Sequence, residues 1–90
     1  MTRHKARLVQ PDPRRMSDDH TLLLQDLYDC GINARIEWFH GGGFHVSLGD
    51  RLTGFVATTL VTMYTEAVDW LRVKAIERYP TTDFARWYRR

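Results

Sequence analysis

Residues 34–48 of this chain, ARIEWFHGGGFHVSL, decide its fold. On both sides of the three glycines, large apolar residues occupy every second position. A period of two is typical of strands that bury one face. Adjacent glycines tolerate the positive φ angles of a tight turn. The stretch therefore predicts a β-hairpin.

The alternation also predicts the register of this hairpin. An odd-numbered loop centred on Gly42 places Trp38 opposite Val46. The same register places Ile36 opposite Leu48 and collects the large apolar side chains on one face. An even-numbered loop would slip the pairing by one residue and reverse the facing of one strand.

A helix is predicted before the hairpin. Ser17, followed by two aspartates, is a typical N-cap. Leucines and Cys30 then recur at helical spacing, with Asp26 outside the apolar stripe. Gly31 is expected to end the helix in the left-handed conformation, with Ile32 folding back on the last turn.

A third strand and two more helices are predicted after the hairpin. Leu52–Val61 is rich in Val, Thr and Phe, but its two alternating sets of side chains compete for the inner face, and Gly54 is a candidate bulge. The helical period returns from about Thr62 and ends before Pro80. A short last helix is predicted to begin at Thr81–Asp83.

The fold class that follows is α+β. We expect a two-layer single domain at 16–80, with a helix, a three-stranded antiparallel meander and a second helix. Residues 1–15 are expected to form a basic, flexible N-terminal arm, and 81–90 a basic, aromatic C-terminal tail in which the short helix is predicted.

The charge distribution separates this chain from a basic domain. Residues 1–15 hold five bases and one acid, 16–79 hold five bases and nine acids, and 80–90 hold three bases and one acid. The net charges of +4, −4 and +2 add to the formal +2. An acidic body with two basic ends is therefore expected.

The glycine loop does not predict an enzyme. HGGG resembles the loop lining the oxyanion hole of some lipases and esterases of the α/β-hydrolase type, which also need a G-x-S-x-G elbow that this chain lacks. A phosphate loop needs the following Lys-Ser/Thr or a following helix, and both are missing here. We therefore predict no catalytic and no cofactor-binding residues.

The histidines do not predict a metal site. His40 and His45 have opposite parity in the hairpin, so they point to opposite faces. A composite site with His20 is an alternative that no spacing requires. We predict no metal ligands and no cofactor.

The order of helix, three strands and helix resembles that of the double-stranded RNA-binding domain. That family grips phosphates with a basic cluster at the start of its second helix, whereas residues 63–69 here hold two acids and no base. The alternative function is therefore a nucleic-acid accessory protein that binds through its arm and tail. Its binding residues would be Arg3, Lys5, Arg7, Arg14, Arg15, Arg89 and Arg90.

The leading hypothesis is a small non-enzymatic module that binds another protein as an adaptor, inhibitor or regulator. Aromatic and arginine side chains supply much of the energy of protein interfaces. The candidate residues are Phe39, His45, Arg35, Trp70, Trp87 and Tyr88. An edge of the sheet also offers a route to a homo-oligomer. No membrane segment is predicted, and one cysteine in 90 residues favours the cytoplasm.

Overall fold

The computed structural model describes residues 20–89. Within this range the chain forms α1 (His20–Asp29), β1 (Ile32–Phe39), β2 (Gly43–Asp50), β3 (Gly54–Val61), α2 (Tyr64–Arg78) and α3 (Asp83–Tyr88). The strands form one antiparallel sheet in the order β1-β2-β3. The α+β architecture predicted from the sequence is confirmed. The predicted arm at 1–15 and the predicted cap at Ser17 lie outside the described residues.

The end of α1 follows the prediction made from Gly31. The Cys30 amide donates to the Asp26 carbonyl at 3.1 Å, and the Gly31 amide donates to the Tyr28 carbonyl at 3.1 Å. Gly31 has a φ of 76°, the left-handed conformation expected there. Ile32 is buried in the same core as Leu27. The helix thus turns directly into β1.

The hairpin register differs from the prediction by two residues. Trp38 lies opposite Phe44, and Ile36 lies opposite Val46. The predicted partners, Val46 for Trp38 and Leu48 for Ile36, were therefore wrong, although the odd loop length and the facing were right. The reason is the position of the turn. The Gly42 amide donates to the Phe39 carbonyl at 2.7 Å.

Gly41, not Gly42, is the centre of the loop. It is the third residue of the turn that begins at Phe39, and its φ of 80° is the value that a type II turn requires at this position. Gly43 is thereby left in β2, opposite Phe39. A shift of two residues preserves parity, so Trp38 and Val46 still share a face.

A bulge settles the facing of β3, which the sequence left ambiguous. Leu48 pairs with Ala57, but Gly49 pairs with Phe55, so Val56 is an extra residue on β3. Ala57, Thr59 and Val61 consequently face the helices. Phe55 lies on the opposite side. The strand begins at Gly54, not at Leu52.

All three helices contribute to one core on one side of the sheet. Val46 and Leu48 of β2 have no exposed surface and pack in a cluster with buried residues of every helix. The buried helical residues of this cluster are Leu23, Leu27, Ala67, Val68, Leu71, Ala75, Phe84, Trp87 and Tyr88. We call this side of the sheet the inner face.

Asp26 departs from its predicted place outside the apolar stripe of α1. Its side chain is only 4% exposed, and its carboxylate accepts a hydrogen bond of 2.6 Å from the Tyr88 hydroxyl. A buried carboxylate needs donors to replace water. The bond joins the first and last helices of the described range, so Asp26 and Tyr88 tie the helical layer together.

The β2–β3 turn is built on Asp50. Its Oδ1 accepts from the Leu52 and Thr53 amides at 2.8 Å each, and its Oδ2 accepts from the Tyr79 hydroxyl at 2.7 Å. These bonds, led by the one from the Thr53 amide, lower the pKa of Asp50 to about 2. Burial, followed by the bond to Asp50, raises the pKa of Tyr79 to about 12. The turn is thus tied to the end of α2.

Tyr88→Phe is expected to destabilise the fold. The substitution preserves the ring but removes the donor to the buried Asp26 carboxylate, at a cost of about 1–3 kcal/mol in the free energy of unfolding. Tyr28→Phe is the matched control because Tyr28 is 77% exposed. Denaturant unfolding of both variants measures the difference. Equal losses would contradict the role given to the Tyr88 hydroxyl.

Gly49→Ala is expected to destabilise the sheet. A Cβ at Gly49 would lie 1.9 Å from the Gly54 carbonyl oxygen, so β2 and β3 would have to move apart. We expect a loss of about 1–3 kcal/mol, the usual cost of overpacking. At Gly42 the nearest atoms to such a Cβ, in Phe39, are 3.5 Å away. Thermal unfolding should show Gly42→Ala close to wild type, and a tolerated Gly49→Ala would refute the close approach.

Candidate functional site

The side of the sheet opposite the helices carries the candidate site, and we call it the outer face. It consists of Asn33, Arg35, Glu37 and Phe39 from β1, Gly43, His45, Ser47 and Gly49 from β2, and Phe55, Thr58 and Leu60 from β3. Within residues 20–89, no helix packs against this face. Phe39 and Leu60 are 70% and 66% exposed, in contrast to the buried centre of the inner face.

Apolar side chains lie at both ends of the outer face. At the hairpin end, Gly43 separates Phe39 from Leu60, and a Cβ on this glycine would lie 3.8 Å from a methyl group of Leu60. At the other end, Gly49 lies between Asn33 and Phe55. Neither glycine carries a side chain, so at these two positions no side chain of β2 separates the apolar groups of the neighbouring strands.

The centre of the outer face is polar and ordered by hydrogen bonds. The Nε2 atom of His45 lies 2.9 Å from the Thr58 hydroxyl, which in turn lies 3.3 Å from the Ser47 hydroxyl. The Thr58 hydroxyl also donates to the Val46 carbonyl at 3.0 Å. A hydroxyl has only one proton to donate, so it accepts from Nε2–H when it donates to Val46. The bonds fix the His45 ring across two strands.

Glu37 approaches the other side of the His45 ring. Its Oε1 lies 3.7 Å from Nδ1, which is an ion-pair distance rather than a hydrogen-bond distance. Glutamate, histidine and threonine thus follow one another across the face, in the order found in acyl-transfer sites. The proton of the Thr58 hydroxyl is directed at a backbone carbonyl, however.

Arg35 supplies the cationic part of the face. Its Cζ lies 4.4 Å from the centroid of the Phe55 ring, which is a cation–π contact. Its Nε lies 3.8 Å from Glu37 Oε1, and both side chains are about half exposed. Arg35 is therefore positioned by two neighbours and remains accessible to solvent.

Three of the six candidate protein-binding residues come together. Arg35, Phe39 and His45 all lie on the outer face. The register predicted from the sequence also places Phe39 opposite His45, and this pairing is wrong. The observed register pairs Phe39 with Gly43 and His45 with Glu37. Phe39 and His45 are diagonal neighbours instead.

The other three candidates are elsewhere. Trp87 and Tyr88 are 5% and 1% exposed and belong to the core, because α3 packs its aromatic side against α2. A partner does not reach them without unfolding α3. Trp70 is half-buried on α2, with the Lys74 Nζ 5.9 Å from its ring.

Sequence reasoning missed Phe55 and Leu60 as members of the exposed set. The bulge at Val56 interrupts the alternation of β3, so neither side chain is assigned to a face by period alone. The only signal was Gly54, which was read as a candidate bulge. Its φ of 74° marks the start of β3, two residues before the bulge.

A second aromatic group lies on the inner side at the hairpin end. Ring centroids are 6.2 Å apart for Trp38 and Phe44, 6.1 Å for Phe44 and Tyr64, and 5.6 Å for Tyr64 and His20. Trp38 remains 66% exposed at the end of this row. Trp38 lies on the inner face, as predicted, but at a position that the helices do not cover.

The three histidines within residues 20–89 lie in different surroundings. His20 packs on Tyr64, His40 lies in the hairpin loop, and His45 is held on the outer face. Among residues 20–89 no group of three or more His, Cys, Asp or Glu side chains is arranged to hold a metal ion. Burial, the largest influence on Cys30, raises the pKa of its thiol to about 11. At neutral pH this thiol is protonated and a poor nucleophile.

Most of the candidate nucleic-acid residues lie outside the described range. These are Arg3, Lys5, Arg7, Arg14, Arg15 and Arg90. Arg89 is exposed at the end of α3 and donates to the Pro80 carbonyl at 2.9 Å. On the outer face itself, Arg35 is balanced by Glu37.

No helix in the described part of the chain has the length and apolar character needed to span a membrane. Comparison with known proteins finds no matching family model, no matching curated protein and no matching solved structure.

Proposed function

We propose that this chain is a non-enzymatic protein-binding module, an adaptor, inhibitor or regulator, that contacts its partner through the outer face. The proposal rests on one observation. A whole side of the sheet, uncovered within residues 20–89, presents exposed apolar groups around an ordered polar centre. Sheets that leave one face to solvent usually carry polar residues there. Exposed Phe39, Phe55 and Leu60 depart from that pattern.

The layout of the outer face matches that of a protein interface. Such interfaces combine a few large apolar or arginine anchors with hydrogen-bonding groups, and a small subset of residues supplies most of the binding energy. Phe39 and Leu60 form one pair of apolar groups, and Phe55 under Arg35 forms a second. Phe55 and Arg35 are held against each other before a partner arrives, which reduces the entropy that this pair loses on binding.

The charges of the outer face favour protein over nucleic acid as the partner. Affinity for nucleic acid comes mainly from basic side chains that neutralise phosphates. Arg35 is the one Lys or Arg of the outer face and contacts Glu37. We therefore retain protein binding as the leading function, with binding of nucleic acid by the arm and tail as the competing outcome of the test below. A single, half-buried thiol fits a reducing compartment, so we place the module in the cytoplasm.

Affinity capture with the full chain as bait tests this function. One variant of the bait carries Phe39→Ser and Leu60→Ser, which remove the apolar side chains at the hairpin end of the outer face. The control bait carries Leu52→Ser and Val73→Ser, which change exposed apolar residues in the β2–β3 turn and on α2. We expect a partner that wild type and control retain and that the outer-face variant loses by about tenfold or more. Titration calorimetry with the purified partner then measures the loss.

Equal binding of that partner by all three baits would contradict the proposal. A bait lacking residues 1–15 distinguishes the competing function. Retention of nucleic acid that depends on these residues, together with indifference to the outer-face substitutions, would favour the nucleic-acid accessory role.

A further inference from the structure

We propose that two copies of this chain associate through β1. The β1 strands of the two copies pair antiparallel about a two-fold axis at Ile36. The two three-stranded sheets thereby join into one continuous six-stranded sheet. This inference goes beyond the proposed function, because the two copies pair through the backbone at the edge of the sheet, with Arg35 and Glu37 of the outer face taking part.

The first ground is the position of β1 at the edge of the sheet. Among the described residues, it pairs with β2 along one side only. In an antiparallel ladder, every second residue of an edge strand directs its N–H and C=O groups away from its neighbour, where another strand can bind them. The residues of β1 after Ile32 are exposed, except for half-buried Ile36. The edge is therefore regular and open.

The other edge is less suited to pairing. The bulge at Val56 interrupts the regular ladder of β3, and bulges are one of the devices by which proteins protect sheet edges. The strand, Gly54–Val61, has no charged residue that would select a register. The geometry thus points to β1.

The second ground is the charge pattern around Ile36. When Ile36 faces its own copy, Arg35 of each chain faces Glu37 of the other. Both side chains are about half exposed and lie on the same face. A two-fold axis makes this contact twice, because each surface patch meets itself. Oppositely charged cross-strand pairs stabilise a sheet.

The same charges exclude the neighbouring registers. A shift of two residues in one direction pairs Arg35 with Arg35, and a shift in the other direction pairs Glu37 with Glu37. Like charges directly opposite each other are destabilising. Of these registers, all of which keep the helices of both copies on the same side of the sheet, only the one centred on Ile36 matches opposite charges.

The third ground is steric complementarity on the inner face. In this register Trp38 of one copy faces Ala34 of the other, a large side chain opposite a small one. Trp38 is 66% exposed in the single chain. Ala34 borders an apolar groove between β1 and α1, which Leu24 and Tyr28 also line. The indole therefore gains apolar surroundings on association. Because the shared edge is only eight residues long, we expect a weak, concentration-dependent dimer.

Sedimentation equilibrium of the full chain tests the association. The mass should rise from 10.6 kDa towards twice that value with concentration. Arg35→Glu or Glu37→Arg alone places like charges opposite each other and should weaken association by about tenfold or more. The double variant carrying both changes restores opposite charges and should restore the dimer. Arg72→Glu, an equal charge reversal on α2, should leave association unchanged.

Disulfide trapping tests the register. Ile36→Cys places two thiols opposite each other on the axis, at the Cα separation of paired strands, which is compatible with a disulfide. Ala34→Cys lies on the same strand and face, but in this register it faces Trp38 of the second copy. Under mild oxidation we expect covalent dimer from Ile36→Cys and little from Ala34→Cys. Cys30 is present in both variants, so its contribution cancels in the comparison.

Three outcomes would overturn the inference: a wild-type chain that stays monomeric at every accessible concentration, a double charge variant as weak as the single ones, or faster trapping at position 34 than at 36. Circular dichroism confirms that each variant is folded before it is compared. A monomer that still binds a partner through the outer face would overturn self-association and leave the proposed function standing. A chain that dimerises, but in which the outer-face substitutions do not affect the binding of any partner, would overturn the proposed function and leave self-association standing.

Discussion

The hydrogen bond from the Tyr88 hydroxyl to the buried Asp26 carboxylate fixes how the helices are arranged. It joins α1 to α3, which lie at opposite ends of the described chain. Both helices also pack with α2 in one core. A carboxylate is rarely buried without strong donors, so the bond links burial of Asp26 to docking of α3. With the helical layer joined in this way, all three helices lie on the inner face.

This one-sided arrangement determines where function is to be sought. The inner face is closed by the core, so the exposed large residues of the sheet are those of the outer face and the hairpin end. The hairpin places them there. Its three-residue loop keeps the alternation of β1 and β2 in phase, and the bulge in β3 turns Phe55 to the outer face, beneath Arg35. The glycine-rich loop thus serves the site by setting a register.

The sequence allowed the elements and the facing of the hairpin to be predicted, because both depend on local periodicity. The order of elements, the end of α1 at Gly31 and the odd loop are of this kind. The pairing partners were not predictable in the same way. Loops centred on Gly41 and Gly42 preserve the same parity, and only the hydrogen bond that closes the turn distinguishes them.

Burial of polar and aromatic groups was also beyond local pattern. The sequence pattern assigned Asp26 to the surface and made Trp87 and Tyr88 candidate binding residues. Asp26 and Tyr88 are 62 positions apart in the chain, so their hydrogen bond leaves no trace in local periodicity. The burial of all three residues depends on the packing of α3 against the rest of the core. On the outer face, Arg35, Phe39 and His45 followed from alternation, whereas Phe55 and Leu60 were obscured by the bulge at Val56. Regular strands reveal their faces in the sequence, and bulged strands do not.

The central claim is that the outer face is open in the full chain, and hydroxyl-radical footprinting of all 90 residues tests it most directly. Phe39, Phe55 and Leu60, which are 70%, 45% and 66% exposed, should be oxidised rapidly. Phe84 and Tyr88, which are buried in the core, should be protected in the same sample. Protection of the three outer-face residues to the level of Phe84 would contradict the account, because it would mean that this side of the sheet is already covered.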